Sequence, residues 1–341
     1  MQFSLFFFTA KWPGTPGDHY RLLRESTQFA DRAGFAAVWT PERHFSAFGG
    51  LYPNPSVTSA ALATITERIG LRAGSVVLPL QNLLRVAEEW SVVDNLSRGR
   101  VGVSFASGWH VNDFVLSPHT YERRRELMYE SIETVRALWR GETIRLPNGQ
   151  GREVEVAIYP KPYQADIPIW LTAQSEGTFR KAGEMGANLL TNMNYQSVET
   201  LGERIGMYRR ACAAHPATPR GHVTLMVHTF VGDQPAIDTQ AKPAYAEYIL
   251  TNLDLQSERA KGLGLSIDAT EEDKRFIVSR AVDRMIGNVG LIGTPERCVQ
   301  QARRFQDAGV DEIACLIDFG IDFDAVMSSL EQVAQLGAAL R

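Results

Sequence analysis

What most constrains the fold of this chain is an alternation that recurs eight times along it. Short runs rich in β-branched and aromatic residues stand at 3–8, 36–39, 71–78, 101–105, 167–171, 188–191, 223–231 and 312–317. Between and after them lie longer segments with apolar residues at helical spacing. Residues 19–33 place Leu22, Leu23, Phe29 and Ala30 on one face and stop at Gly34, as an amphipathic helix does. Segments 56–66, 83–96, 121–139, 178–185, 198–213 and 323–340 read as helices as well. Runs that are apolar throughout, rather than alternating, belong to parallel strands buried on both faces. An open doubly wound sheet satisfies this pattern, but eight units within 341 residues favour a (β/α)8 TIM barrel of the α/β class.

Two interruptions enlarge that barrel. Residues 144–162, with Pro147, Asn148, Gly149, Gln150 and Gly151 near their centre, read as a hairpin insertion before strand five. Residues 233–288 form a long, mainly helical insertion between strands seven and eight, more than one βα unit needs. Such an insertion serves as a lid or an interface, or simply elaborates the surface. No linker divides the chain, so residues 1–341 are expected to be a single domain.

Composition narrows the function classes. With 35 Lys+Arg against 39 Asp+Glu, no basic excess exists to displace counterions from nucleic acid. The hydrophobic share of 44% excludes a disordered scaffold. Cys212, Cys298 and Cys315 are odd in number and scattered, and no CxxC occurs, which fits a reducing cytoplasm better than a disulfide framework. The run at 3–8 lacks a basic leader, and no stretch reaches the ~18 apolar residues of a membrane span. A cytoplasmic protein with no membrane partner is expected.

In such a barrel the chemistry sits on loops that follow the strands' C-terminal ends. Residues 40–45 (TPERHF) follow strand two, and His44 there can exchange a proton near neutral pH; a structural histidine bonded to a neighbouring loop is the competing reading. Gly74 either lets a planar ligand approach the backbone or packs closely within the barrel wall. After strand four, small Ala106, Ser107 and Gly108 expose backbone N–H groups, and Trp109 and His110 can line a pocket. Ala173, Gln174, Ser175 and Thr178 open the fifth helix, where unpaired N–H groups and hydroxyls suit a phosphate but equally cap a helix with no ligand. No GxGxxG, HExxH, GxSxG or metal-spaced cluster occurs.

Residues 34–45 (GFAAVWTPERHF), 85–90 (RVAEEW), 96–101 (LSRGRV), 293–296 (GTPE) and 308–313 (AGVDEI) resemble the bacterial luciferase-like flavin monooxygenases. The wording at 40–45, 48–55 (FGGLYPNP), 73–79 (AGSVVLP) and 106–110 (ASGWH) resembles the branch associated with polyketide and peptide natural-product biosynthesis. The resemblance implies an FMNH2- and O2-dependent monooxygenase that forms a C4a-hydroperoxyflavin and inserts oxygen by hydroxylation or Baeyer–Villiger chemistry. It implies a separate flavin reductase, a substrate tethered to an acyl or peptidyl carrier protein, and a homodimer. His44 matches the family's active-site histidine, and Gly74 and Ser75 match the site of a non-prolyl cis peptide behind the flavin. Ala106, Ser107, Ala173, Gln174, Ser175 and Thr178 match the cofactor-binding positions. Trp12, Phe45, Trp109, His110, Asn192 and His228 are the implied substrate pocket, and 233–288 the implied lid. The sequence departs from luciferase itself at Gln174 and Ser107, where an acidic residue and an arginine stand, which leaves Arg124 or Arg125 to meet the phosphate. A deazaflavin (F420)-dependent oxidoreductase and a non-catalytic partner subunit are the competing functions.

Overall fold

Every run expected to be a strand is one. The strands are β1 (Gln2–Phe6), β2 (Ala37–Thr40), β3 (Gly70–Val77), β4 (Val101–Ala106), β5 (Ile144–Pro147), β6 (Glu153–Val156), β7 (Ile169–Thr172), β8 (Asn188–Asn192), β9 (Val223–Val231), β10 (Leu291–Gly293) and β11 (Glu312–Leu316). These are taken from a computed structural model, which describes residues 1–8, 18–194, 196–215, 218, 220–262 and 270–340, with the backbone alone at 254–262 and 271.

Eight of these strands, all parallel, close in the order β1-β2-β3-β4-β7-β8-β9-β11, with β11 paired to both β9 and β1. The (β/α)8 barrel is therefore complete. The hairpin β5–β6 is antiparallel and stands apart, as the turn-rich centre of 144–162 requires. A short strand that the sequence did not suggest, β10, adds in parallel to β9 outside the barrel. Its three residues are too few to show any periodicity.

The helices are α1 (Arg21–Ala33), α2 (Pro55–Ala63), α3 (Leu83–Ser97), α4 (Arg124–Trp139), α5 (Glu176–Glu184), α6 (Val198–Ala213), α7 (Gln234–Ala236), α8 (Lys242–Gly262), α9 (Glu271–Arg284), α10 (Pro295–Asp307) and α11 (Phe323–Ala339). Several starts are set by side-chain caps: Asn54, Asn82, Ser175 and Ser197 each accept from the first free N–H groups of α2, α3, α5 and α6. Gly34 ends α1 in the left-handed conformation at φ 81°. The insertion between β9 and β10 carries α7, α8 and α9.

The strand runs are not apolar throughout, which corrects the reading from sequence. The barrel interior holds a buried charge network. Glu312, fully buried, accepts from Arg72 Nη1 at 3.0 and 2.8 Å and from Ser4 Oγ at 2.6 Å, and its Oε2 lies 3.0 Å from His222 Nε2. The Arg72 guanidinium stacks over Trp39 and Trp170, 5.0 and 4.5 Å from their ring centroids. The two indoles meet edge to face at 5.3 Å. A closed barrel must fill its own interior, and here two tryptophans and a satisfied ion pair do so.

Helix α5 is brought close to α6 by Gly183. A Cβ there would stand 2.6 Å from Ala211 Cβ and 2.7 Å from the Tyr208 carbonyl oxygen. Gly183→Ala is therefore expected to destabilise the fold by about 1–3 kcal/mol, read as a lower urea midpoint.

Candidate active site

The loop after β2 is built around a buried carboxylate. Glu42 Oε2 accepts the Val77 N–H at 2.8 Å, and its Oε1 accepts from Gln81 Nε2 and stands 2.8 Å from His44 Nε2. Glu42 thus ties the loop after β2 to the end of β3 and fixes the imidazole from behind. A carboxylate already taking two donors can only accept, so Nε2 carries the proton and Nδ1 is the lone-pair nitrogen of the neutral ring. No described residue bonds Nδ1. The sequence reading singled out His44 but missed Glu42, two residues before it. Phe45 lies beside His44, ring centroids 5.6 Å apart, at a positive φ of 51° and 66% exposed, so its face is open to solvent.

Within β3 the Gly74–Ser75 peptide is cis. A Cβ on Gly74 would stand 2.7 Å from the Phe6 ring, so the glycine packs closely within the barrel wall. Ser75 Oγ bonds Thr172 Oγ1 and lies 3.3 Å from Ser104 Oγ, which is 2.8 Å from Thr172 Oγ1. Three adjacent strands thus present a continuous hydroxyl cluster, of which only Ser75 was singled out from sequence.

Ala106, which ends β4, and Ser107 and Gly108 after it are half-buried, and Trp109 and His110 meet at 5.3 Å. His110 Nδ1 lies 3.2 Å from Asp113 Oδ1, while its Nε2 is buried without a partner among the described residues. Beyond β7, Ala173 is buried with its N–H bonded to Leu190 O and its carbonyl to Thr191 Oγ1. Gln174 is exposed; Ser175 caps α5 by accepting the Thr178 N–H, and the two hydroxyls stand 3.0 Å apart. Arg204 donates to the Gln174 carbonyl at 3.1 Å, and its Nε is a buried donor with no described partner. This cation at the start of α5 was not foreseen. Arg124 instead donates to the Tyr121 carbonyl and stacks on that ring, whereas Arg125 acts on Tyr129, beside Thr178.

Asn192 is buried at the end of β8; its side-chain oxygen accepts the Asn194 N–H at 2.9 Å and its backbone carbonyl accepts from Gln196 Nε2. His228 is buried among Tyr245, Tyr248 and Phe319, with centroids 4.9, 4.6 and 5.4 Å away, and burial pushes its pKa down to about 3. The two tyrosines come from α8, so the insertion packs against the barrel at this point. Trp12 lies outside the described residues.

The hydroxyl cluster, the open start of α5 and the unpartnered Arg204 Nε are donors and acceptors of the kind a flavin nucleotide needs for its ring edge and phosphate, and the residues fit that group. Among the described residues no cluster of His, Cys, Asp and Glu is arranged to hold a metal ion, and no helix is long and apolar enough to cross a membrane.

A family model described as luciferase-like monooxygenase matches residues 1–312. The oxygenase component of the flavin-dependent trigonelline monooxygenase of Acinetobacter baylyi is 26% identical over 341 residues, covering 98% of this chain and 93% of that one. Among solved structures, the monooxygenase RslO1 of Streptomyces bottropensis superposes with a TM-score of 0.78 at 22% identity, with 98% of each chain covered. The oxygenating constituent of 3,6-diketocamphane monooxygenase of Pseudomonas putida, a type II Baeyer–Villiger enzyme in complex with FMN, superposes with a TM-score of 0.73 at 18% identity, covering 99% of this chain and 98% of that one. Both structures share the barrel fold.

Proposed function

Because the chain belongs to the luciferase-like monooxygenase family, whose members are flavin-dependent oxidoreductases, we propose that it is the oxygenase of a two-component system that takes FMNH2 from a separate reductase. The observation that carries this reading is the pairing, at one barrel mouth, of the Glu42–His44 dyad with the hydroxyl-lined wall and open α5 terminus. Reduced flavin, when bound, supplies the electrons by which one atom of dioxygen enters the substrate and the other leaves as water.

The chain's own residues do the rest. Ser175, Thr178 and Arg204 hold the phosphate at the start of α5, where N–H groups and a cation favour an anion. Ser75, Ser104 and Thr172 offer hydroxyls to the ring edge. His44 moves a proton at Nδ1, and Glu42 keeps the ring in the tautomer that allows it. Helix α8, through Tyr245 and Tyr248, covers the mouth and keeps water out. The substrate class is a polyketide or peptide intermediate, presented on a carrier protein or as a free acid, and it is oxygenated by hydroxylation or Baeyer–Villiger insertion.

Aerobic turnover with FMN, a flavin reductase and reduced nicotinamide tests the reading: intact mass of a carrier thioester or free acid should rise by one oxygen. Oxidation that proceeds with F420 but not with FMN would assign the chain to deazaflavin chemistry, and FMNH2 binding without oxygen consumption to a silent partner subunit. Arg204→Ala should weaken FMN binding about 10-fold or more and leave riboflavin, which lacks the phosphate, unaffected. Equal losses for both ligands would remove Arg204 from the phosphate site.

A further inference from the structure

Arg43, between Glu42 and His44, has no task in the flavin reading. It is 7% exposed, and its guanidinium lies over three rings, 4.9 Å from the centroid of Phe8, 5.3 Å from that of Phe48 and 5.1 Å from that of Trp109. Among the described residues no hydrogen bond or ion pair reaches that guanidinium. Asp113, the carboxylate whose charge acts on it, is bonded instead to His110. Arginine does not give up its proton inside a protein, so the site holds a permanent cation with aromatic walls and, among the described residues, no carboxylate in direct contact with it. Such a cation is costly until an anion joins it, and the ring faces offset only part of that cost.

The surroundings describe the anion's carrier. Phe48 touches Tyr248, which touches His228, whose Nε2 is buried and unpartnered among the described residues. The surroundings are therefore mainly aromatic, with the Arg43 fork, the His110–Asp113 pair beside Trp109 and, beyond Tyr248, the neutral His228 imidazole. In the ring of strands, β2 and β7 are separated by β3 and β4, which places Arg43 away from Arg204 and the start of α5.

We infer that Arg43 is the anion anchor of the substrate pocket: its guanidinium fork receives a carboxylate of the molecule to be oxygenated, whose apolar body lies against Phe8, Phe48 and Trp109. The inference rests on the oxygenase reading only in calling the ligand a substrate. A free acid and the phosphodiester of a carrier protein's prosthetic arm both present oxyanions. The planar carboxylate matches a guanidinium held between ring faces, and Arg43 is too buried to serve as a contact on the outer rim.

The test uses flavin-free protein and the matched pair benzoate and benzamide, followed by tryptophan fluorescence and thermal unfolding, with 4′-phosphopantetheine as the carrier-arm probe. Wild-type protein should bind benzoate about 10-fold or more tighter than benzamide. Arg43→Gln should abolish that preference with circular dichroism and FMN affinity unchanged, and Arg43→Lys should keep part of it. Equal binding of the two probes by wild type, or a preference that survives in Arg43→Gln, overturns the inference. So does 4′-phosphopantetheine binding more tightly than benzoate, which assigns the arginine to a carrier arm, or loss of FMN binding in Arg43→Gln, which assigns it to the cofactor. Should Arg43→Gln fail to fold, the wild-type comparison and Arg43→Lys decide. A failed flavin reading shows separately, as wild-type protein that does not bind FMN.

Discussion

His44→Ala is expected to lower the rate of substrate oxygenation by about 10²-fold or more while flavin affinity stays within a small factor of wild type. The imidazole is fixed by Glu42 at Nε2 and has no structural partner at Nδ1 among the described residues, so its removal takes away a proton-transfer group rather than a support. Glu42→Gln separates the two residues' roles. The amide oxygen still accepts the Val77 N–H, but the carboxylate that selects the His44 tautomer is gone. That variant should slow the reaction less than His44→Ala and should shift the pH dependence of turnover, which a purely structural residue would not do. Wild-type rates in His44→Ala would remove the histidine from the mechanism. An unshifted pH profile in Glu42→Gln would reduce the carboxylate to a loop brace.

Glu312→Gln should destabilise the barrel by about 3–5 kcal/mol at neutral pH, because it leaves the Arg72 guanidinium buried without its counterion. Burial pushes this carboxyl's pKa up, but the Arg72 charge, His222 and the Ser4 hydroxyl together outweigh burial and hold it well below the usual carboxylate range. A carboxyl whose folded pKa is depressed stabilises fully above its unfolded pKa of about 4.3. That contribution is lost as pH falls from there through the folded value. Urea midpoints of wild type should therefore drop below about pH 4.3, and those of Glu312→Gln should drop less over the same interval. Adding Arg72→Met to Glu312→Gln removes the orphaned cation and should recover part of the loss. A Glu312→Gln midpoint equal to wild type would mean that the network fills space without contributing to stability.

The contrast between these two sites shows what a sequence can reveal. The barrel was legible because short strand runs recur eight times in alternation with segments of helical spacing. The hairpin was legible from its Pro-Asn-Gly turn and the end of α1 from Gly34. β10 was not, because three residues carry no period. Glu312 was overlooked because one glutamate at the start of an apolar run looks like the run's boundary, and its partners Ser4, Arg72 and His222 lie far away along the chain. His44 stood out by its place after a strand. The tie from Glu42 to Val77 and Gln81 depends on how neighbouring loops meet, which spacing does not encode. Arg43 was hidden for the same reason: its aromatic walls come from the end of β1, from its own loop and from the loop after β4. Arg204 reaches the start of α5 from α6, whereas Arg124 and Arg125, which the resemblance left to meet the phosphate, stand at the start of α4, with Arg125 acting on Tyr129 beside Thr178.

The most direct test of the account is an anaerobic titration of the protein with reduced FMN, followed by rapid mixing with oxygenated buffer while flavin absorbance is recorded. Saturable binding, and flavin reoxidation through a protein-dependent phase that free FMNH2 does not show, is the predicted result. Reduced FMN that does not bind, or that reoxidises as it does in free solution, would contradict the account.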